Sequence, residues 1–409
     1  IEPKGMVLEM AHFPYFFDNI SGAIVAEPNH IELDNLLSVK GSRRISLSGR
    51  IDREGPVKDY TMRLEAASLE MDERLKEALP VGLQALWGTF KPGGRVDLNL
   101  SIAGREHDQE GGVWDIAGRT GITECFLSHP MPAEQIFGEI IGQAQYDSAT
   151  KKIDLTGELL DTSLKLKQRP LKNLTGRLDY NGQQQELSID EISSDFCGGR
   201  LGGVLQAGFG EADLRYELKL LFDDVDLAHF MAVEQAESTS ARQLKGRADG
   251  RYFVQKPGAV EKKRGRFSFV VRDAVLGELP IWAQLLYVPN LSLPREGAFN
   301  EATIQGDIVG EQSIFNTIYL RGGAVALDGI GSMSGAEHNL QLVFGIDSPH
   351  KFPRIPFLSS FYNAIRPGLV QVRVTGTFAE PQVESAAFPT LDEALRSLNP
   401  GSDRSSIRD

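Results

Sequence analysis

Cysteine is nearly absent. Cys125 and Cys197 are the only two in 409 residues, and their separation matches no metal or redox spacing, so they assign neither a disulfide nor a compartment. Histidine is also sparse: the seven (His12, His30, His107, His129, His229, His338 and His350) form no HExxH and no close pair. A GxSxG nucleophile elbow is missing. The run Cys197-Gly-Gly-Arg-Leu-Gly-Gly203 shares only its glycine content with a phosphate-cradling loop, lacks the GxxxxGK[ST] order and leads into a strand. The sequence therefore offers no seat for catalysis, no metal site and no cofactor site. Positive charge is in deficit, with 43 Lys and Arg against 56 Asp and Glu and a net charge of −13, which excludes a nucleic-acid backbone as the main partner. The one basic cluster, Glu261-Lys-Lys-Arg-Gly-Arg266, reads as a solvated loop, with contact to anionic lipid headgroups as the alternative. Long apolar runs are missing too. None reaches the roughly 18 residues that span a bilayer, and the best candidate, 279–291, is interrupted by Pro280 and Pro289. The chain begins at Ile1 with no basic-apolar-small leader, so the expectation is a natural start further upstream, where a membrane anchor is allowed.

What is abundant is one-sided strand. Ile45/Leu47/Ile51, Val96/Leu98/Leu100/Ile102, Leu340/Leu342/Phe344/Ile346 and Val370/Val372/Val374 alternate with Ser, Asp, Asn, Arg, Gln or Gly. The 42 glycines inside or at the ends of such strands predict bulges and bends that let a broad sheet curl. The fold class expected is mostly β, an elongated, curled antiparallel sheet with a few short helices. Helices are expected over Asp72–Trp87, broken or kinked at Pro80, over Val225–Val233 behind a cap from Asp223, Asp224 or Asp226, over 279–291, over Pro356–Ile365 and over Leu391–Leu398. Capping also explains the Asp223-Asp-Val-Asp226 carboxylates better than a cation site, because no EF-hand spacing follows.

The chain also repeats itself. Asn19-Ile-Ser-Gly22, Ile45-Ser-Leu-Ser-Gly49 and the strand from Tyr60 return as Asn173-Leu-Thr-Gly176, Arg200-Leu-Gly-Gly203 and the strand from Tyr216, with the two glycines 27 apart in both copies. The predicted organisation is a first repeat over 1–110, a partial one over 111–170, a second full one over 171–255, a C-terminal module over 256–348, a cap over 349–400 and a disordered tail over 401–409. Roughly twenty strands at about 4.8 Å spacing make a sheet about 95 Å long. Those few short helices cannot cover its apolar face. Either the sheet packs on itself around a dry core, or it curls around something apolar that is not protein.

The stretch 266–346 resembles the C-terminal module of the AsmA-like family, envelope proteins of diderm bacteria related to TamB. The matching residues are the 279–291 segment, Phe299, Ile304-Gln-Gly-Asp-Ile308 and Leu327-Asp-Gly-Ile-Gly-Ser332, joined by Asn173-Leu-Thr-Gly176, Gly199-Arg-Leu-Gly-Gly203 and the strand from Tyr216 to Leu227. The resemblance implies a repeating β-groove, U-shaped and apolar inside, that carries phospholipid or another acyl lipid passively across the periplasm. It implies inner-membrane anchorage upstream, an outer-membrane component as partner and no enzymatic activity. The groove lining would be Ile45, Leu47, Ile51, Met62, Leu64, Val96, Leu98, Leu100, Ile102, Ile153, Leu155, Leu159, Leu164, Leu166, Leu187, Ile189, Leu218, Leu220, Phe267, Phe269, Val271, Ile304, Ile308, Leu340, Leu342, Phe344, Val370, Val372 and Val374. Two other classes compete with this one. A structural or adhesive β-scaffold would use the same alternation around a dry core, and a glycan-acting enzyme would need carboxylates converging in a cleft, for which no pair stands out.

Overall fold

Period-two alternation becomes antiparallel strand nearly everywhere it occurs. The computed structural model describes residues 5–10, 13–129, 131–209, 214–232, 245–258, 261–275, 299–322, 326–335, 338–347, 371–377 and 381–386. Within them the fold is mostly β, with 21 strands and only three short helices. Contacts divide the chain into two compact units, Ile1–Phe196 with Leu201–Glu217, and Cys197–Arg200 with Leu218–Asp409.

The first unit contains β1 (Met6–Met10), β2 (Phe13–Ala26), β3 (His30–Lys40), β4 (Arg43–Glu54), β5 (Val57–Glu70), α1 (Glu73–Ala78), α2 (Val81–Phe90), β6 (Pro92–His107), β7 (Gly111–Leu127), β8 (Ala133–Asp147), β9 (Lys152–Leu166), β10 (Arg169–Asn181) and β11 (Glu186–Phe196). From β1 to β11 each strand pairs antiparallel with the next. β12 (Gly199–Gly208) and β13 (Arg215–Asp226) follow, then α3 (Leu227–Met231). The second unit continues as β14 (Lys245–Lys256), β15 (Arg264–Val275), β16 (Glu301–Val309), β17 (Gln312–Arg321), β18 (Ala326–Ser334), β19 (Asn339–Asp347), β20 (Gln371–Gly376) and β21 (Pro381–Ala386), again each antiparallel to the next. No pairing among the described strands closes either meander into a barrel.

The strands bend at bulges. Asn35, Ser68, Glu124, Gln135, Asp161 and Asn173 all have positive φ, and each falls where the pairing register shifts. An extra residue on one strand raises the local twist and turns the sheet. Glycine does the same at Gly49, whose φ of +146° and contact with Thr61 O leave no room for a Cβ. The bulges also carry the sequence repeat into structure. Asn19 (φ 57°) precedes Gly22 as Asn173 (φ 51°) precedes Gly176, and Ser68 (φ 52°) follows Tyr60 at the same distance as Asp224 (φ 51°) follows Tyr216. The copies are not identical, because Gly22 has a φ of +126° and Gly176 has no positive φ.

Pro80 divides the helix expected over Asp72–Trp87 into α1 and α2, and α2 runs on to Phe90. Asp72 caps α1, its Oδ1 accepting from Leu75 N at 3.0 Å, and Asp226 caps α3 by accepting from His229 N at 3.1 Å. The carboxylates at 223–226 thus serve capping and pairing, with Asp224 3.6 Å from Arg247. The basic cluster differs from the loop reading: Arg264 and Arg266 lie in β15, and Arg266 and Lys263 face Asp307 and Glu311. Within 349–400, where a cap is expected, β20 pairs with β19 and β21 with β20. The helices expected over 279–291, 356–365 and 391–398, the 401–409 tail and Val370 lie outside the described residues.

Candidate functional site

The strand registers align the alternating apolar residues into rows that cross the sheet of the first unit. One row runs Leu36, Leu47, Leu64, Leu100, then Gly118, Gly142 and Gly157, then Leu178 and Ile189. Its neighbour runs Gly49, Met62, Ile102, Ile116, Ala144, Leu155, Tyr180 and Leu187. On the other side lie Ile45, Ala66, Leu98, Thr120, Ile140 and Leu159. The opposite face is polar: Asp97, Asn99, Ser101 and Arg105 of β6 are exposed, and Arg105 donates to Asp59 at 2.6 Å. Gly142 marks how tightly the apolar face curves, since a Cβ there would meet Thr156 O at 2.5 Å.

Burial separates this face into a sealed part and an open part. Tyr15, Phe17, Leu36, Ile45, Leu47, Leu64, Leu69 and Val96 form a dry cluster closed by Leu75 and Ala78 of α1. α2 lays Leu83, Leu86 and Phe90 against a second cluster of Ile153, Tyr180, Ala207 and Phe209, where the Phe90 and Phe209 rings meet at 5.6 Å. Met62, Leu98, Leu100 and Ile102 pack against the first cluster and Leu155 and Leu187 against the second, yet these six, with Ile116, Ile140, Leu159 and Ile189, are only half-buried. A side chain facing a packed second layer loses nearly all its exposure; these do not.

One rim of the face is aromatic. Tyr60, Gly104, Trp114, Tyr146 and Ile153 share a row, with the Tyr60 and Trp114 rings 4.3 Å apart and the Tyr60 hydroxyl donating to Glu106 at 2.9 Å. Burial raises the hydroxyl pKa of Tyr60 and Tyr146 above the usual 10.0, so both stay neutral across physiological pH. The other rim is charged: Arg43, Lys40 and Asp18 meet beside Tyr15.

The second unit has the same construction with a different balance. Gly250, Phe269, Ile304, Ile318, Gly329, Phe344 and Val372 form one row, and Tyr252, Phe267, Gly306, Phe315, Gly331, Leu342, Val374 and Val383 another. Phe267, Phe269, Ile304 and Phe315 are half-buried, whereas Leu320, Leu327, Phe344, Val372 and Val374 are fully sealed. Rings cover cross-strand glycines here, Phe267 over Gly306 and Phe344 over Gly329, as Trp114 covers Gly104 in the first unit.

Of the residues expected to line a groove, Ile45, Leu47, Leu64, Val96, Ile153, Val271, Ile308, Leu340, Leu342, Phe344, Val372 and Val374 are therefore enclosed by protein. Ile51, Met62, Leu98, Leu100, Ile102, Leu155, Leu159, Leu164, Leu166, Leu187, Ile189, Leu218, Leu220, Phe267, Phe269 and Ile304 keep partial exposure. Sequence reading missed Ile116, Ile140 and the aromatic rim, although extending the same alternation through β7 and β8 reaches them. Among the described residues Cys125 and Cys197 are buried and not joined in a disulfide, no three metal-binding side chains converge, and no helix is long and apolar enough to cross a membrane. No family model, curated protein or solved structure matches the chain.

Proposed function

We propose that the protein holds acyl lipid on the half-exposed face of its sheet and passes it on without consuming energy. The observation that carries this reading is the set Met62, Leu98, Leu100, Ile102, Leu155, Leu159 and Leu187, all half-buried on the apolar face between β5 and β11. Contiguous exposed apolar area of this kind costs solubility unless something apolar occupies it. An acyl chain fits, since each methylene removed from water contributes about 0.8 kcal/mol and the rows offer no charged interruption. The AsmA-like resemblance supports the same reading and adds a place for it: phospholipid carriage across the periplasm of a diderm envelope, with no catalytic step. Photocrosslinking tests it. A photoreactive residue at Leu100, Leu155 or Phe269 should capture lipid in cells, while one at the outward Asn99 or Thr156 should not; equal labelling of both faces would refute it.

A scaffold reading is favoured by one observation, the complete burial of Leu320, Leu327, Phe344, Val372 and Val374. That part of the second unit has a dry core, so lipid contact is assigned to β5–β11 and to β15 and β16.

A further inference from the structure

α2 lies across the apolar face of the first unit and is fastened at both ends. Its ten residues, Val81–Phe90, carry no charge. Trp87 enters the first buried cluster, whereas Leu83, Leu86 and Phe90 pack on the second, beside Tyr180 and the half-buried Leu155 and Leu187. At one end the Gln84 amide donates to Leu79 O at 2.7 Å, just behind α1; at the other Phe90 O accepts from Ser128 N at 3.1 Å, in the turn after β7. Single residues make the bend on each side: Pro80 is extended (φ −53°, ψ 147°) and Lys91 is left-handed (φ 46°, ψ 61°). The helix depends on its seat more than on its sequence. Gly82 and Gly88 weaken it, no side chain caps its N-terminus, and ten residues are too few to hold a helix alone.

That seat is incomplete. Leu83, Leu86 and Phe90 remain half-buried, and Val81 is exposed. Against the first turn the Tyr180 hydroxyl is buried without a hydrogen-bond partner, so close to Gly82 that a Cβ there would stand 2.7 Å from it. A hydroxyl stripped of water and given no acceptor opposes the closed position. Lifting the first turn lets water reach it. Tyr180 pairs in register with Leu155 on one side and Leu187 on the other, so the same movement uncovers a row of the face on which an acyl chain would lie.

We infer that α2 is a strap over β9–β11 that swings away on Pro80 and Lys91 to let an acyl chain pass between it and the sheet. The inference rests on the lipid reading above and adds a gate to it. Because the chain binds only the lifted form, the population of that form should set the rate of uptake and leave release unchanged. Stopped-flow mixing of the whole protein with pyrenedecanoic acid measures uptake, and dilution of the loaded protein measures release. Tyr180→Phe removes the unpaired hydroxyl, keeps the ring and holds the strap down: uptake should slow about tenfold, toward the lower end of what such a hydroxyl costs, with release as in the wild type. Gln84→Ala frees the strap from α1 and should speed uptake about fivefold, again without changing release. Uptake equal to the wild type in both variants would make α2 a fixed cover, overturning the inference while the lipid reading stands. Faster release from Tyr180→Phe would mean that the hydroxyl touches the lipid itself and would overturn it too. A wild type that takes up no probe refutes the lipid reading and the gate together.

Discussion

Leu47 and Leu100 lie in one row of one sheet, two strands apart, yet an aspartate at each should have opposite consequences. Leu47 is 2% exposed in the dry cluster under α1. Removing its side chain alone costs about 2–5 kcal/mol, and a carboxylate there adds an unpaired buried charge. Leu47→Asp should not fold. Leu100 is half-buried at the margin of the same cluster, so Leu100→Asp forfeits only part of a leucine's transfer energy, about 1 kcal/mol, and its carboxylate stays hydrated. The cost falls on the ligand instead. One strand spacing of about 4.8 Å accommodates about four methylenes of an extended chain, which at about 0.8 kcal/mol each makes roughly 200-fold in acyl-chain affinity. Circular dichroism melting and titration with a fluorescent fatty-acyl probe read the two effects separately. If Leu100→Asp unfolds like Leu47→Asp, or folds and binds the probe as the wild type does, the division into sealed and open parts is wrong.

Three further outcomes follow from named contacts. Gly104→Val should push Trp114 off its cross-strand glycine, where a Cβ would sit 2.5 Å from the indole, lowering stability by about 1–3 kcal/mol and red-shifting tryptophan emission. Asp226→Ala removes the cap of α3 and should cost about 1 kcal/mol in a denaturant titration, with Asp226→Asn close to wild type. The Lys40 hydrogen bond holds the Asp18 carboxyl below its usual 3.8. Its contribution is therefore complete above that value and lost as pH falls through the lowered pKa, so wild type and Asp18→Asn should differ in stability at pH 6 and converge in strong acid.

Much of the fold was legible because each strand carries its own evidence. Asp97, Asn99 and Ser101 between Val96, Leu98, Leu100 and Ile102 fix both the strand and its two faces without reference to any partner. Asn19 and Asn173, each three residues before a glycine, both take a left-handed conformation. Burial was not legible, because it depends on what stands opposite. Leu47 and Leu100 have the same local pattern, yet Leu47 lies inside the buried cluster with Leu75 and Ala78 of α1 while Leu100 packs against it only half-buried.

The most direct test of an open apolar face is mass spectrometry of organic extracts from the purified protein. Acyl lipid should co-purify with the wild type and be depleted in the folded Leu100→Asp variant. A wild type that carries no lipid, takes up none from vesicles and melts cooperatively would mean that the apolar rows are covered by protein, contradicting the account.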